Sequence, residues 1–129
     1  MIQEIVSLWE KNKDKIAYSF RNNPFPEYET IVKTVVSYMD DKKIIRMDPD
    51  KIEVTGGGDY QGELFFTVGS KGRSKNKYTV EVSYGSCSHC DTLQGIRDNG
   101  SWDDEKPNES QVKDLMTFAL HIVQAFRII

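Results

Sequence analysis

The chain has 129 residues, of which 38% are hydrophobic and 29% charged, and its formal net charge is −3. This composition is typical of a globular protein without low-complexity tracts, and it predicts a single domain over residues 1–129. Because both signs of charge are interspersed, attraction of the whole chain to nucleic acid or to an anionic membrane is not expected.

The N-terminal half predicts two helices. Apolar residues near helical spacing predict the first helix over residues 2–17, and the two prolines in RNNPFPEYET break it. Residues 1–10 lack the basic region of a signal peptide, and no segment reaches the roughly 18 apolar residues of a membrane span, so a cytoplasmic protein is expected. One apolar stripe at helical spacing predicts a second helix, which ends around residues 40–42. The stripe comprises Tyr28, Ile31, Val32, Val35, Val36 and Met39.

From residue 51 the pattern changes to the alternation of strands. Strands are predicted over residues 51–55, 63–68 and 78–84, joined by GGGDYQG and GSKGRSKNK, which have the composition of turns. Short connections favour an antiparallel meander with one buried and one solvated face. The segment Lys43–Met47 is too short for its period to show whether it forms an additional strand.

The chain closes on a helix. Asn108 followed by Gln111 indicates a capping box at its start, and the apolar stripe that follows comprises Val112, Leu115, Met116, Ala119, Ile122, Val123 and Phe126. His121 lies opposite this stripe and is expected to face solvent. The predicted fold is therefore α+β: a small antiparallel meander sheet with the N- and C-terminal helices packed on one face, in two layers.

The only two cysteines form a C-x-x-C pair, Cys87 and Cys90, with His89 between them. Two thiolates at this spacing can bind one zinc ion, but a structural zinc site has four ligands and the chain has no second C-x-x-C. Ser88 and Asp91 resemble a capping box, so a redox thiol at a helix start is another interpretation. The favoured interpretation is a turn of small residues whose thiols pack as small hydrophobic groups. No cofactor is predicted, and zinc is the alternative.

The loop KGRSKNK carries four cations and no acid: Lys71, Arg73, Lys75 and Lys77. A hairpin tip of this kind can contact phosphates, although it has no interleaved aromatic residues on which bases would stack. A solvated loop is the favoured interpretation. The run Gly56–Gly58 is not a phosphate loop, because no G-K-[ST] ending and no helix follow it.

Two segments are similar to a known family. DYQGELFFTV (residues 59–68) and YTVEVSYGSCSHCDTLQGI (residues 78–96) resemble small, uncharacterised proteins encoded by phages and prophages of Gram-positive bacteria. The shared pattern is an aspartate-tyrosine-x-glycine turn, a strand, and tyrosine-glycine-serine-cysteine-serine-x-cysteine-aspartate. The resemblance covers less than a third of the chain. It implies a phage gene product in the host cytoplasm, and it carries no known activity, cofactor or catalytic residue.

No catalytic set of side chains is evident, so a non-enzymatic role is favoured without excluding an enzyme. The sequence predicts a phage-type accessory protein that binds a host or phage macromolecule, with a protein favoured over nucleic acid and no membrane contact. The candidate binding surface is the solvated sheet face and the turn after it: Asp59, Tyr60, Phe65, Tyr84, His89 and Asp91. The alternative is a metal-binding or thiol-redox protein that uses Cys87 and Cys90. A homodimer is left open.

Overall fold

The computed structural model of the chain describes residues 2–56, 62–84, 92–98 and 106–129. It contains an antiparallel sheet, and helices both precede and follow the three long strands in the sequence. The elements are α1 (Ile2–Arg21), α2 (Tyr28–Val36), β1 (Met47–Gly56), β2 (Gly62–Ser70), β3 (Tyr78–Tyr84), α3 (Thr92–Asp98), α4 (Glu109–Ala125) and β4 (Arg127–Ile128). The strands lie in the order β1-β2-β3-β4, each antiparallel to its neighbour. The predicted α+β fold is confirmed.

The first two helices differ from prediction mainly in their ends. α1 continues to Arg21, four residues beyond the predicted end, and stops before Pro24 and Pro26. α2 stops at Val36, and the next turn is tighter, with the Met39 N–H donating to the Val36 carbonyl at 2.9 Å. Met39 is nevertheless buried as its stripe predicts. Among the described residues, no helix combines the length and apolar content that crossing a membrane requires.

The strands show the predicted alternation. One face of the sheet carries the residues that join the core: Ile52, Val54, Leu64, Phe66, Val68, Tyr78, Val80 and Val82. β1 begins at Met47, four residues before its predicted start. The prediction missed this part because the register shifts between Met47 and Ile52, which interrupts the alternation there. The undecided segment Lys43–Met47 is mostly loop, in which Arg46 forms an isolated bridge with Asp40.

The start of α4 confirms the predicted capping box. The Asn108 side chain accepts from the Gln111 N–H, and the Gln111 side chain accepts from the Asn108 N–H, both at 2.8 Å. Gln111 is buried and its amide also donates to the carbonyls of Ile96 and Arg97, at 3.2 and 3.1 Å. Helix α4 is therefore tied to α3, an element of seven residues that periodicity did not predict. His121 is exposed, as expected.

The helices share one hydrophobic core with the inner face of the sheet. α1 packs mainly along α4, whereas α2 contacts β1 and α4, and α4 contacts β3. The most deeply buried side chains of the helices include Ile5, Ile16, Ile31, Val32, Val35, Leu115 and Val123. Burial of each such side chain contributes roughly 1.5–3 kcal/mol relative to exposure. The opposite face of the sheet consequently remains open to solvent within the described part of the chain.

Candidate functional site

Among the residues that the structure describes, one large apolar side chain lies exposed on the open face of the sheet. Phe65 lies on β2, directly opposite Thr55 on β1 and Glu81 on β3. It is 39% exposed, whereas Phe66, the next residue, is fully buried. Alternation on a half-buried sheet dictates this contrast, because successive side chains point to opposite faces. The predicted exposure of Phe65 is confirmed.

Two carboxyl groups lie beside Phe65. Glu63 precedes it by two residues on β2, and Glu81 faces it from β3, so both glutamates stand on the open face. A hydrogen bond that the protonated Glu81 carboxyl group donates to Glu63 raises the pKa of Glu81, and partial desolvation and the charge of Glu63 act in the same direction. No lysine or arginine among the described residues forms an ion pair with either one. We call Glu63, Phe65 and Glu81 the Phe65 patch.

The register shows how the predicted turns relate to this patch. Gly62 pairs with Tyr84, one position beyond the pairing of Glu63 with Ser83. β2 therefore begins, and β3 ends, at the same end of the sheet as the Phe65 patch. The sequence alone could not decide this relationship, since it depends on strand pairing.

Most of the predicted turn residues lie outside the described part of the chain. These are Asp59, Tyr60, Cys87, His89, Cys90 and Asp91. Within residues 2–56, 62–84, 92–98 and 106–129, no group of three histidine, cysteine, aspartate or glutamate side chains could hold a metal ion. That finding does not bear on the C-x-x-C pair, and zinc binding by Cys87 and Cys90 stays a prediction.

The four predicted phosphate contacts do not form one uniform set. The Lys71 ammonium group lies 3.2 Å from the Asp40 carboxylate and is tied to it. Arg73, Lys75 and Lys77 are exposed and form no ion pair with a described residue. Three of the four cations of the hairpin are therefore exposed and without an ion pair to the described part of the chain.

A polar cleft that sequence reasoning missed lies on the open face near this hairpin. It has a volume of about 370 Å³, and Lys51 and Lys77 line it together with Asp50 and Glu53. Its floor is Gly69, where a Cβ atom would come 3.0 Å from the Cβ of Lys51. A glycine inside a strand can signal such a close approach of a neighbouring side chain. Because two cations and two carboxylates line it, the cleft does not favour one sign of ligand.

Comparison with known protein families, with curated proteins and with solved structures finds no match to this chain.

Proposed function

We propose that this chain is a non-enzymatic accessory protein that binds a protein partner through the Phe65 patch. The observation that carries the proposal is the position of Phe65, half-exposed on an inner strand of an otherwise polar sheet face. The family resemblance supports a phage gene product that works in the host cytoplasm.

An aromatic residue on a strand is a suitable anchor for a protein interface. Aromatic side chains dominate the binding energy of many interfaces, because they bury a large area at a small cost in conformational entropy. β2 is hydrogen-bonded on both sides, to β1 and to β3, so Phe65 is held in place before a partner arrives. The backbone on which Phe65 stands therefore needs little reorganisation on binding.

The carboxyl groups indicate what the partner carries. Glu63 and Glu81 hold like charges beside one another and have no cation from the described residues. A lysine or arginine on the partner would relieve this repulsion as Phe65 becomes covered, which gives the interface specificity for a basic segment. The partner surface is expected to combine an apolar pocket with a cationic rim.

The test is affinity capture from native-host lysate by the wild-type protein and by Phe65→Ala. The matched control is Tyr18→Ala, since Tyr18 is an aromatic residue on α1 with 65% exposure. Wild type and Tyr18→Ala are expected to retain the same partner, and Phe65→Ala to lose it. An unchanged set of captured proteins with Phe65→Ala would refute the role of the patch. Light scattering of the same samples shows whether the partner is a second copy of the chain.

A further inference from the structure

Two loops that are distant in sequence lie side by side at the end of the sheet opposite the Phe65 patch. The Lys71 N–H donates to the Arg46 carbonyl at 2.9 Å, and the Lys71 ammonium group reaches Asp40. A Cβ atom on Gly72 would lie 3.6 Å from a guanidinium nitrogen of Arg46. Residues 42–46 and 71–77 therefore share one surface, which we call the two-loop surface.

The carboxylates at this surface are used within the fold. Asp40 is 14% exposed and lies 3.2 Å from Lys71 and 3.4 Å from Arg46. One oxygen of Asp41 accepts the backbone N–H groups of residues 43–45 at 2.8–2.9 Å. Burial acts to raise the pKa of both carboxyl groups. Backbone N–H donors outweigh burial at Asp41, and the Lys42 N–H together with the charges of Lys71 and Arg46 outweighs it at Asp40, so both pKa values are lowered. Both groups thus stay ionised and engaged at neutral pH.

The cations that remain point outward. Five exposed side chains from the two loops form no ion pair with any described residue: Lys42, Lys43, Arg73, Lys75 and Lys77. Residues 40–46 and 71–77 hold seven cations and two carboxylates, so the local charge is positive although the chain as a whole carries −3. Of these cations, Lys77 also lines the polar cleft with Asp50 and Glu53. Only the fold brings the loop that carries Lys42 and Lys43 against the hairpin that carries the other three cations.

We infer that the two-loop surface binds the phosphate backbone of a nucleic acid. Between its cations the hairpin has only small or polar residues, Gly72, Ser74 and Asn76. The Ser74 hydroxyl and the Asn76 side-chain amide are donors that suit phosphate oxygens. Neither loop contains an aromatic residue, so recognition is electrostatic and independent of base sequence. A duplex, with about one negative charge per 1.7 Å, then binds more tightly than a single strand.

A nucleic acid fits this surface better than an anionic membrane does. Ile44, at 56% exposure, is the one large exposed hydrophobic side chain among residues 42–46 and 71–77. Ile128 and Ile129 are also exposed beside Lys77, whose carbonyl accepts the Ile129 N–H at 2.9 Å. Binding to a membrane interface draws on a continuous apolar face in addition to charge, and these three isoleucines, in a loop and at the last strand, belong to no amphipathic helix that would supply one. Phosphate contacts need no apolar penetration.

The test is fluorescence anisotropy with a labelled DNA duplex of about 20 base pairs and with one of its strands. Wild type is expected to bind the duplex with a Kd of roughly 10 µM at about 50 mM salt, and roughly 100-fold more weakly at about 200 mM. One double variant changes the first loop, Lys42→Asn with Lys43→Gln, and the other changes the hairpin, Arg73→Gln with Lys75→Gln. Lys42 has a φ of 64°, a backbone conformation that asparagine tolerates, so asparagine replaces it.

Each double variant is expected to bind the duplex roughly 10-fold more weakly and to lower the salt slope by about 2. The control, Lys15→Gln with Lys113→Gln, removes two exposed lysines from α1 and α4 and should bind as wild type does. Circular dichroism confirms that all variants are folded. Phe65→Ala should bind the duplex normally, which separates this inference from the proposed function.

Three outcomes would overturn the inference. The first is that wild type does not bind the duplex at about 50 mM salt. The second is that only the hairpin variant loses affinity for the duplex, or that the control variant loses as much affinity as either loop variant. Both results are incompatible with one binding surface made of two loops. The third is that vesicles containing phosphatidylserine bind the protein while the duplex does not, which would assign the surface to a membrane.

Discussion

The ring of Phe65 on β2 packs against Gly56 at the end of β1. A Cβ atom on Gly56 would stand 3.0 Å from Cδ2 of Phe65 and still closer to the Glu63 carbonyl oxygen. Gly56 also has a φ of 92°, a backbone conformation that other residues rarely adopt. The absence of a side chain at position 56 is therefore what allows the ring to lie there.

The first prediction concerns this contact. Gly56→Ala is expected to lower the free energy of unfolding by about 2–4 kcal/mol, because left-handed strain of about 1–2 kcal/mol adds to the overlap with Glu63 and Phe65. Urea unfolding measures the loss. Gly72→Ala is the control, since its φ of 65° carries the strain while its nearest neighbour lies 3.6 Å away. Equal losses in the two variants would show that overlap with Glu63 and Phe65 adds no cost to the strain.

The second prediction concerns the carboxyl pair. The pKa of Glu81 is raised in the folded protein, so folding is penalised at neutral pH and gains stability as the pH falls through that raised value. Glu81→Gln is expected to raise the thermal unfolding midpoint at pH 7–8, and the gain should vanish toward about pH 4, where an ordinary glutamate is protonated. Glu53→Gln, on the same face opposite Thr67, is the control and should show no such pH dependence.

The third prediction concerns Asp40, which joins the two loops. Asp40→Asn is expected to cost about 1–3 kcal/mol, because Lys71 and Arg46 lose their partner. The pKa of Asp40 is lowered by folding, so its contribution is present above about pH 4 and is lost as the pH falls through the lower folded value. Urea unfolding from pH 3 to 7 should therefore show a shallower acid loss in the variant. Asp14→Asn, an exposed change on α1, should leave the profile unchanged.

The fourth prediction concerns the junction of α3 with α4. Gln111→Ala is expected to cost about 2–3 kcal/mol, because it removes half of the capping box and two bonds to carbonyls of α3. Asn108→Ala removes its cap bond alone and should cost about 1 kcal/mol. Chemical unfolding of both variants gives the comparison. A smaller loss for Gln111→Ala would mean that its bonds to α3 add no stability.

The fifth prediction concerns the cysteines, which lie outside the described residues. If the turn of small residues is the correct interpretation, elemental analysis of reduced protein will find no stoichiometric zinc. The double variant Cys87→Ser with Cys90→Ser should then unfold at the wild-type temperature. Zinc at one per chain or one per dimer, lost in this variant, would instead support the C-x-x-C metal site.

Local patterns were sufficient for the main elements. The apolar stripes of α1, α2 and α4 and the alternation in β2 and β3 depend on the burial of one face, and the sequence records that directly. Asn108 and Gln111 mark the start of α4 because their bonds are between near neighbours. The exposure of Phe65 follows from the same alternation.

The short or irregular elements were not predictable in this way. α3 has seven residues and β4 has two, too few to display a period. Asp48–Asp50, the part of β1 that was missed, lies at a register shift, where alternation carries no information.

The sequence by itself thus determined the types of the long elements, the buried stripes and the outward position of Phe65. Only the tertiary structure brought Glu81 beside Glu63 and placed Arg46 against the hairpin that contains Lys71. The physical reason is that these relationships depend on strand register and on loops that meet in space. Packing between distant segments sets both relationships, since Glu63 and Glu81 are 18 residues apart in the sequence and Arg46 and Lys71 are 25 residues apart.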